Sequence, residues 1–356
     1  MMDFHVVGAG PAGLFAALAA AKNSANVIVS EEHKDIGLPV HCSGLISVSG
    51  FEELNKIVKY KKIIINKIYC AKIYTKTNYL EIKYHSPKAY LVDRREIDYQ
   101  AYQNASEEGV KFEQKKIRSI ADLKAKKILG ADGPISTIAK IFDFPTIKKF
   151  VFCYQGEYKY HNEDKKTVEL YFDKELFGGF FGWKIPINEE LAKIGFGVTN
   201  QNLFKAKKAF LAKLCVLDQK PLNSFIAPIP LQMRAKTTKT TSKYFVSLAG
   251  DSAGQTKASS GGGIYFGAMC GFLAGKYYED NKKYEIEWKK NYYFDLYLHQ
   301  IIQKIIEKSS NRQLDLMLDY IKILKIDKYL EKYGEMDRLT KMFEIKKMID
   351  YFNMVL

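Results

Sequence analysis

The sequence is poor in cysteine and has no paired cysteine motif. Its 356 residues contain five cysteines, and no two of them form a C-x-x-C pair. Scattered single thiols argue against a structural zinc site and against a secreted disulfide framework, because both need closely spaced cysteines. The sequence therefore predicts no metal site and a protein of the reducing cytoplasm. The cysteines are Cys42, Cys70, Cys153, Cys215 and Cys270.

The sequence also lacks a long apolar run. No uninterrupted apolar stretch of about 20 residues occurs, so no membrane-spanning helix is predicted. The apolar N-terminal segment HVVGAGPAGLFAALAAA has no basic region before it and contains spaced glycines, which is not typical of a signal peptide. Apolar residues make up 47% of the chain, which indicates a globular protein rather than a disordered one.

Acidic residues are outnumbered by basic ones. The chain has 40 Asp and Glu against 55 Lys and Arg, for a formal net charge of +15. No helix-turn-helix, zinc-finger or RNA-binding signature accompanies this charge, so nucleic acid is not predicted as a partner. The lysines occur as scattered pairs such as Lys61-Lys62. Two interpretations remain, a lysine-rich composition or a basic face that meets an anionic membrane surface.

The N-terminal segment carries a glycine motif between a strand and a helix. Phe4 to Val7 reads as a buried strand, GAGPAG follows it, and Leu14 to Lys22 reads as an Ala-rich helix before a second strand, NVIVSEE. In a G-x-G-x-x-G turn the glycines allow the tight turn, the approach of a pyrophosphate and close packing of the helix. An acid at the end of the second strand accepts from ribose hydroxyls. The predicted dinucleotide-binding residues here are Gly8, Gly10, Gly13 and Glu31.

The rest of the sequence shows two further patterns of apolar residues. Segments such as VFCYQGEYKY and AKIGFGV alternate apolar and polar residues without helices between them, which predicts antiparallel strands. From Trp288 onward, apolar residues keep helical spacing, which predicts amphipathic helices. We interpret these helices as packing helices or, alternatively, as helices with one face on a membrane. The spaced apolar residues are Phe294, Tyr297, Leu298, Ile301, Ile302, Ile305 and Ile306.

These patterns predict a mixed α/β fold with three parts. The first is a discontinuous Rossmann-like nucleotide-binding domain formed by residues 1–60, 90–147 and 243–280. An inserted antiparallel-sheet domain covers residues 61–89 and 148–242, and a C-terminal helical region covers residues 281–356.

Two further glycine–aspartate sites follow predicted strands. KKILGADGPIS contains Asp132-Gly133, and YFVSLAGDSAGQTKASSGGGIYFG contains Asp251 and a glycine run before a helix. A carboxylate at the end of a parallel strand lies at the crevice where open sheets bind ligands, so Asp251 is placed to accept from a polyol hydroxyl. The glycine run leaves free N–H groups suited to an electron-rich ring edge or a phosphate.

Together these sites resemble flavoproteins of the p-hydroxybenzoate hydroxylase fold, and within it the geranylgeranyl reductase family, archaeal enzymes that saturate isoprenoid chains of membrane lipids. EEHKDIGLPVHCSG resembles the family's I-G-x-P-V-x-C-x-x-G loop, and YLVDRREID its V-D-R-x-x-F-D motif. GFFGWKIP resembles Y-x-W-x-F-P, and GDSAGQTKASSGGGI resembles G-D-A-A-G-Q-x-K-P-T-T-G-G-G-I. The resemblance runs from residue 2 to about residue 290. The departures include Ile97, Phe181, Ile185 and Ala258.

The resemblance implies FAD as the cofactor and assigns residues to it and to the substrate. The residues implied for FAD, besides the glycine motif and Glu31, are Ala12, Cys42, Ser43, Leu45, Arg94, the main chain near Arg118, Asp132, Gly133, Asp251, Gly262, Gly263 and Ile264. The residues implied for the substrate are Phe181, Trp183 and Pro186.

The family's equivalent of Cys42 lies beside the flavin ring, which implies a role in the reaction. Saturation of an unactivated alkene needs a proton and a hydride on neighbouring carbons. Reduced flavin supplies the hydride, and a thiol can donate or relay the proton. The alternative is that Cys42 is an inert packing residue.

The implied function is an FAD-dependent reductase of geranylgeranyl or polyprenyl chains in membrane lipids or their precursors. No second dinucleotide motif appears, so the electron donor is transiently bound NAD(P)H or a ferredoxin-like protein. We expect a cytoplasmic location with peripheral attachment to the inner face of the membrane. The alternatives are a flavin-dependent monooxygenase or halogenase, because FGWKIP also resembles W-x-W-x-I-P, and a flavin- or lipid-binding protein without turnover.

Overall fold

The computed structural model describes residues 2–355. Its strands are β1 (Phe4–Val7), β2 (Val27–Glu31), β3 (Leu45–Ser47), β4 (Ile64–Ile68), β5 (Cys70–Tyr74), β6 (Tyr79–Lys83), β7 (Ala89–Val92), β8 (Lys111–Gln114), β9 (Lys127–Gly130), β10 (Phe150–Lys159), β11 (Thr167–Tyr171), β12 (Gly182–Pro186), β13 (Leu191–Val198), β14 (Asn223–Pro230), β15 (Thr238–Thr240) and β16 (Phe245–Leu248).

The helices lie between these strands and at the C-terminal end. They are α1 (Pro11–Lys22), α2 (Val48–Val58), α3 (Arg94–Glu107), α4 (Thr137–Ile141), α5 (Lys174–Phe177), α6 (Leu203–Lys213), α7 (Ile264–Lys276), α8 (Asn281–Trp288), α9 (Phe294–Lys308), α10 (Asn311–Ile323), α11 (Ile326–Tyr333) and α12 (Ile345–Val355). Within residues 2–355, no helix is both long enough and apolar enough to cross a bilayer.

The first sheet has the strand order β15-β16-β9-β1-β2-β8, and all of its pairs except β15–β16 are parallel. β1 is buried along its whole length, as the apolar sequence of Phe4 to Val7 predicts. α1 packs against both α3 and α7. This arrangement confirms the predicted Rossmann-like unit, and it brings the carboxyl ends of β1, β2 and β9 to one edge.

The second sheet has the order β14-β10-β13-β12-β11-β5-β6. It is antiparallel as predicted except at one point, where β11 pairs with β5 in parallel. Alternating sequence indicates a half-buried strand but does not specify the direction of its partner. The hairpin of β5 and β6 comes from a distant part of the chain, so its direction relative to β11 depends on the fold.

The third sheet is small and has the order β3-β7-β4. Its first strand follows the Cys42 segment directly, and α2 begins where that strand ends. The Ser47 hydroxyl caps α2 by accepting from the Gly50 N–H at 2.9 Å. The predicted division into domains stays a prediction, and β15, which precedes its boundary at residue 243, pairs within the first sheet.

The C-terminal helices form as predicted, but α9 turns its apolar stripe outward. Phe294 is 59% exposed and Ile305 is 47% exposed, whereas Asp295, His299 and Gln303 are buried. These buried side chains have polar partners: Asp295 pairs with Arg338 at 2.9 Å, and His299 Nδ1 bonds to Ser259 Oγ at 2.7 Å. Helical spacing predicts an amphipathic helix but does not determine which face meets the protein.

Candidate active site

A cleft of about 650 Å³ opens at the carboxyl edge of the first sheet. The loops after β1, β2 and β9 form one side of it, and the segment before β3 forms another. The predicted site residues that line this cleft are Gly8, Gly10, Glu31, Cys42, Arg94, Asp132 and Gly133. Residues from four distant parts of the sequence therefore meet around one space.

The glycine turn after β1 leaves its backbone open to the cleft. Gly8 has a φ of +102°, and a Cβ there would lie 2.3 Å from the Ala131 carbonyl oxygen, so only glycine fits. A Cβ at Gly10 would meet no atom within 4 Å. α1 begins at the next residue, and its unbonded N–H groups lie at this end of the helix. The turn fits a pyrophosphate group.

The Glu31 carboxylate is held beside the same turn. It accepts from the Ala9 N–H at 2.7 Å and lies 2.7 Å from His33 Nδ1. These bonds fix the carboxylate at the end of β2, where it can accept from ribose hydroxyls.

Arg94 and Asp98 form an incompletely bonded ion pair in the cleft wall. Arg94 Nη1 lies 2.6 Å from Asp98 Oδ2, and the two side chains are 13% and 6% exposed. Burial opposes the charge of Arg94, but the Asp98 carboxylate outweighs it and raises the pKa of Arg94. Within the described residues, Arg94 Nε and Asp98 Oδ1 are buried without a hydrogen-bond partner. Such atoms usually have partners, so the wall fits the phosphate or hydroxyl groups of a bound ligand.

Asp251 lies near this pair, at the N-terminus of α7. A Cβ at Gly263 would lie 3.1 Å from Asp251 Oδ1, so the carboxylate and the glycine run are neighbours. Burial raises the pKa of Asp251 to about 6, and the Arg94 charge opposes this rise. A carboxylate beside free N–H groups at a helix start can hold polyol hydroxyls and an electron-rich ring edge together.

The Cys42 segment is anchored through its backbone. The Gly44 N–H donates to Cys42 Sγ at 3.4 Å, and the Leu45 N–H donates to Ser43 Oγ at 3.3 Å. Lys193 of β13 reaches across from the second sheet, and its Nζ donates to the Ser43 carbonyl at 2.9 Å. The second sheet therefore holds the thiol against the cleft.

One row of side chains crosses three strands of the second sheet beside Cys42. Gln155 of β10 lies opposite Gly195 of β13, which lies opposite Trp183 of β12. A Cβ at Gly195 would lie 2.6 Å from the Trp183 ring, so glycine leaves room for the indole to lie across β13. Trp183 Nε1 donates to Gln155 Oε1 at 2.9 Å. Gln155 lines a small cavity together with Cys42, so the row links the indole to the surroundings of the thiol.

Aromatic rings extend this face of the sheet toward the glycine run. The Phe181 ring stacks on Phe180 with centroids 4.4 Å apart, and its centroid lies 5.9 Å from that of Trp183. These rings belong to an apolar cluster that includes Ala258, from the loop after Asp251. The cleft is thus polar near the glycine turn, and an apolar surface lies beside Cys42 and the glycine run.

Comparison with known proteins finds similar sequences and a similar fold among FAD-dependent reductases. The FAD binding domain family matches residues 3–56, which contain the glycine turn and Cys42. The digeranylgeranylglycerophospholipid reductase of Methanocaldococcus jannaschii is 29% identical over 89% of this chain and 90% of its own length. An uncharacterized protein of the same archaeon is 27% identical over 98% of this chain and 95% of its own length. A geranylgeranyl bacteriochlorophyll reductase-like protein from Thermoplasma acidophilum has a similar structure, with a TM-score of 0.80 at 18% identity over 99% of this chain and 96% of that one. The chain is thus similar along most of its length to a digeranylgeranylglycerophospholipid reductase, and it shares its fold with a geranylgeranyl reductase-like protein.

The chain is an FAD-dependent oxidoreductase. The open backbone at Gly10, the partnerless Nε of Arg94 and the Asp251 carboxylate fit FAD. The individual residue roles stay predictions. Ala12 and Gly13 lie in the first turn of α1, and Ile264 begins α7.

Asp132 and Arg118 have other partners in the structure. The Asp132 carboxylate accepts from Ser136 Oγ at 2.6 Å and from the Ile138 N–H at 3.0 Å, so it caps α4 although it also lines the cleft. The Arg118 N–H donates to Asp122 Oδ2 at 3.0 Å. Arg118 is not among the residues that line the cleft, whereas Lys116 and Ile117 before it are.

Pro186 and Leu45 are directed away from the cleft. Successive residues of a strand point to opposite faces, so Pro186 lies on the face of β12 opposite to Trp183. Its carbonyl accepts from Asn66 Nδ2 at 3.0 Å. The Leu45 side chain packs with Ile185 in an apolar cluster between the second and third sheets. Leu45 is not among the residues that line the cleft.

Sequence reasoning missed three polar residues near the site. Gln155 and Lys193 are buried on central strands of the second sheet, and Asp337 is buried beside Lys257. Buried polar residues usually have a specific partner, so polar residues inside VFCYQGEYKY and LAKIGFGV were a usable signal. Asp337 gave no comparable signal, because its segment is polar throughout.

Replacement of Asp251 by alanine should weaken FAD binding roughly 10- to 150-fold, because a charge-assisted hydrogen bond contributes roughly 1.5–3 kcal/mol. Isothermal titration calorimetry of the FAD-free protein with FAD measures the affinity. The exposed Asp143, replaced in the same way, is the control and should leave affinity unchanged. Equal affinity of the Asp251→Ala variant and the wild type would remove Asp251 from the FAD site.

Proposed function

We propose that this protein reduces carbon–carbon double bonds in geranylgeranyl or related polyprenyl chains of membrane lipids or their precursors. The observation that carries the proposal is the position of Cys42, which lines the cleft with Arg94 and lies beside the row that contains Trp183. The relative named digeranylgeranylglycerophospholipid reductase supports the same substrate class.

Reduced FAD, when bound, supplies the hydride for one carbon of the alkene. Arg94 and Asp251 would hold the polar groups of the cofactor. Phe181 and Trp183 would pack against the prenyl chain and exclude water, which fixes the alkene in one place. Cys42 would then give its proton to the neighbouring carbon, so that one S–H bond breaks as one C–H bond forms.

The electrons for each cycle must come from outside the chain. The sequence contains the G-x-G-x-x-G pattern once, in the turn after β1, and FAD would occupy this turn. We propose that the donor is NAD(P)H bound transiently or a ferredoxin-like protein. Steady-state assays with each donor in turn decide between them.

An anaerobic experiment tests the proposed reaction. The FAD-bound protein is reduced with dithionite and mixed with a geranylgeranylated phospholipid, and the flavin absorbance is followed. Reoxidation without oxygen, with two hydrogen atoms added per double bond by mass spectrometry, supports the reductase. Reoxidation only with oxygen indicates a monooxygenase or halogenase, and no reoxidation under either condition indicates a binding protein.

We infer that α9 brings the enzyme to the membrane that holds its substrate. The outward stripe of α9 is apolar, and Lys304 and Lys308 lie exposed on the same helix. α9 also contacts the segment that leads into β12 of the second sheet, since Gln303 Nε2 donates to the Gly179 carbonyl at 3.4 Å. An apolar stripe with flanking lysines fits an anionic bilayer.

The double replacement Ile301→Ser and Ile305→Ser should weaken binding to phosphatidylglycerol vesicles at least tenfold, because burial of each side chain contributes roughly 1.5–3 kcal/mol. Wild-type binding should also weaken as salt rises, because the lysine contribution is screened. Vesicle sedimentation measures both effects. Phe204→Ser on α6, at a residue 73% exposed, is the control and should bind as the wild type does. Equal binding to neutral and to phosphatidylglycerol vesicles, or no binding to either kind of vesicle, would contradict the inference.

A further inference from the structure

The Cys42 thiol lies between two separate spaces. Cys42 and Val40 line the large cleft, and they also line a second cavity of about 10 Å³ on the side of the second sheet. This second cavity has room for about one water molecule. Its other lining residues are Gln155, Gly156, Glu157, Asn223 and Phe225.

Two polar residues of β10, Gln155 and Glu157, are among those that line the small cavity. Gln155 is buried, and its amide oxygen faces Trp183, which leaves the amide nitrogen without a protein partner among the described residues. Glu157 lies two residues further along β10, on the same face. A water in this cavity would therefore have an amide, a carboxylate and the thiol as partners, which is enough to hold it.

A buried lysine fixes Glu157 beside this cavity. Lys193 lies directly opposite Glu157 in the register of β10 and β13, with Nζ 3.7 Å from Glu157 Oε1. The same Nζ donates to the carbonyl of Ser43, the residue after the thiol. The Lys193 side chain is 7% exposed, whereas the Glu157 side chain is 32% exposed. Glu157 thus reaches both solvent and the cavity that Cys42 lines.

A thiol that gives up a proton in each cycle must regain one. With cofactor and prenyl chain in the cleft, water is excluded from that side of Cys42, so the proton must arrive from the other side. The remaining charged or titratable groups nearby are poorly suited to deliver it. Arg94 does not release protons. His41 lines the cleft rather than the small cavity, its ring lies 5.6 Å from that of Phe225, and burial lowers its pKa.

We propose that Glu157 returns the proton to Cys42 through one water in this cavity. In the returning step the Glu157 carboxylate takes a proton from bulk solvent and passes it to the water, which gives one of its own protons to the thiolate. A carboxyl O–H bond forms and breaks, an S–H bond forms on Cys42, and the carboxylate is restored, so that charge and atoms balance. This proposal rests on the proposed role of Cys42 in alkene reduction.

Glu157→Gln, in a Cys215→Ser background with FAD bound, tests the proton return. The first turnover should proceed at the wild-type rate, because the thiol starts protonated. Later turnovers should slow by roughly tenfold or more and show a solvent isotope effect, because proton transfer then limits the rate. The control is Glu169→Gln, which removes the acid of the Lys184–Glu169 pair (2.9 Å) on the opposite face of the sheet. It should change the rate of neither the first turnover nor the later ones.

Alkylation of Cys42 by iodoacetamide gives a second readout that does not need the prenyl substrate. The exposed Cys215 is removed in this background because it would react as well. Glu157→Gln should speed alkylation several-fold, because loss of a nearby negative charge favours the thiolate, and Lys193→Met should slow it. Unchanged later turnovers together with unchanged alkylation would overturn the proposal. If the wild type fails to reduce prenyl lipid, the proposed function fails, and alkylation alone decides whether Glu157 acts on the thiol.

Discussion

Replacement of Cys42 by alanine should slow alkene reduction by roughly 10²–10⁴-fold, the range expected for a lost general acid. FAD should remain bound, because the segment around Cys42 is held by backbone bonds, among them the bond from Lys193 to the Ser43 carbonyl. Single-turnover reoxidation of the reduced flavin by a prenyl lipid measures the rate, and the flavin absorbance of the purified variant measures retention.

Two further variants separate proton donation from packing at Cys42. Cys42→Ser keeps a small polar group that can pass a proton, so its rate should lie between those of the wild type and the alanine variant. Cys215→Ser removes an exposed thiol from elsewhere in the chain and should leave the rate unchanged. Wild-type rates in both Cys42 variants would make Cys42 a packing residue.

The N-terminal half of the candidate site could be predicted because its signals are local. A buried strand, a glycine turn and an Ala-rich helix follow one another within residues 4–22, and β1 forms over the predicted residues Phe4 to Val7. The Rossmann-like arrangement then places Glu31 at the same edge as the turn. Local periodicity and turn chemistry were sufficient for this part of the molecule.

No local sequence pattern predicts that Cys42 lies near Arg94 and Asp251 in the folded chain. These residues lie far apart in the sequence, and their expected proximity came from the resemblance to a family. The row of Gln155, Gly195 and Trp183 depends on the register of three strands, which alternation does not determine. For α9 the sequence left two interpretations open, a packing helix or a face on a membrane, since periodicity shows that a helix has two faces but not which one is covered.

A buried ion pair joins the C-terminal region to the loop before the glycine run. Lys257 Nζ lies 2.5 Å from Asp337 Oδ1, and the two side chains are 8% and 3% exposed. The Ser47 hydroxyl donates to the other oxygen of this carboxylate. Burial opposes ionisation of Asp337, but Lys257 and Ser47 outweigh it and hold the pKa of Asp337 below its ordinary value. The loop that leads from Asp251 to Gly263 is thus fixed by an acid from the far end of the chain.

Asp337→Ala should lower the free energy of unfolding by about 3–5 kcal/mol, because it leaves the Lys257 ammonium buried without its partner. Thermal unfolding followed by circular dichroism should show a midpoint lower by about 10 °C, and FAD affinity should fall with it, since the loop carries the glycine run. The double variant Lys257→Met with Asp337→Leu is the matched control. It removes both charges and should regain most of the lost stability, because a buried ion pair replaced by apolar residues costs little.

The pH dependence of the stability difference between the wild type and Asp337→Ala gives an independent check. A carboxylate with a lowered pKa in the folded state stabilises the protein above its unfolded pKa of about 4, and this contribution is lost as pH falls through the folded value. The difference in unfolding free energy between wild type and Asp337→Ala should therefore be constant near pH 7 and shrink below about pH 4. Urea unfolding at a series of pH values measures it. A difference that stays the same down to pH 3 would assign the loss of stability to packing at Asp337 rather than to its charge.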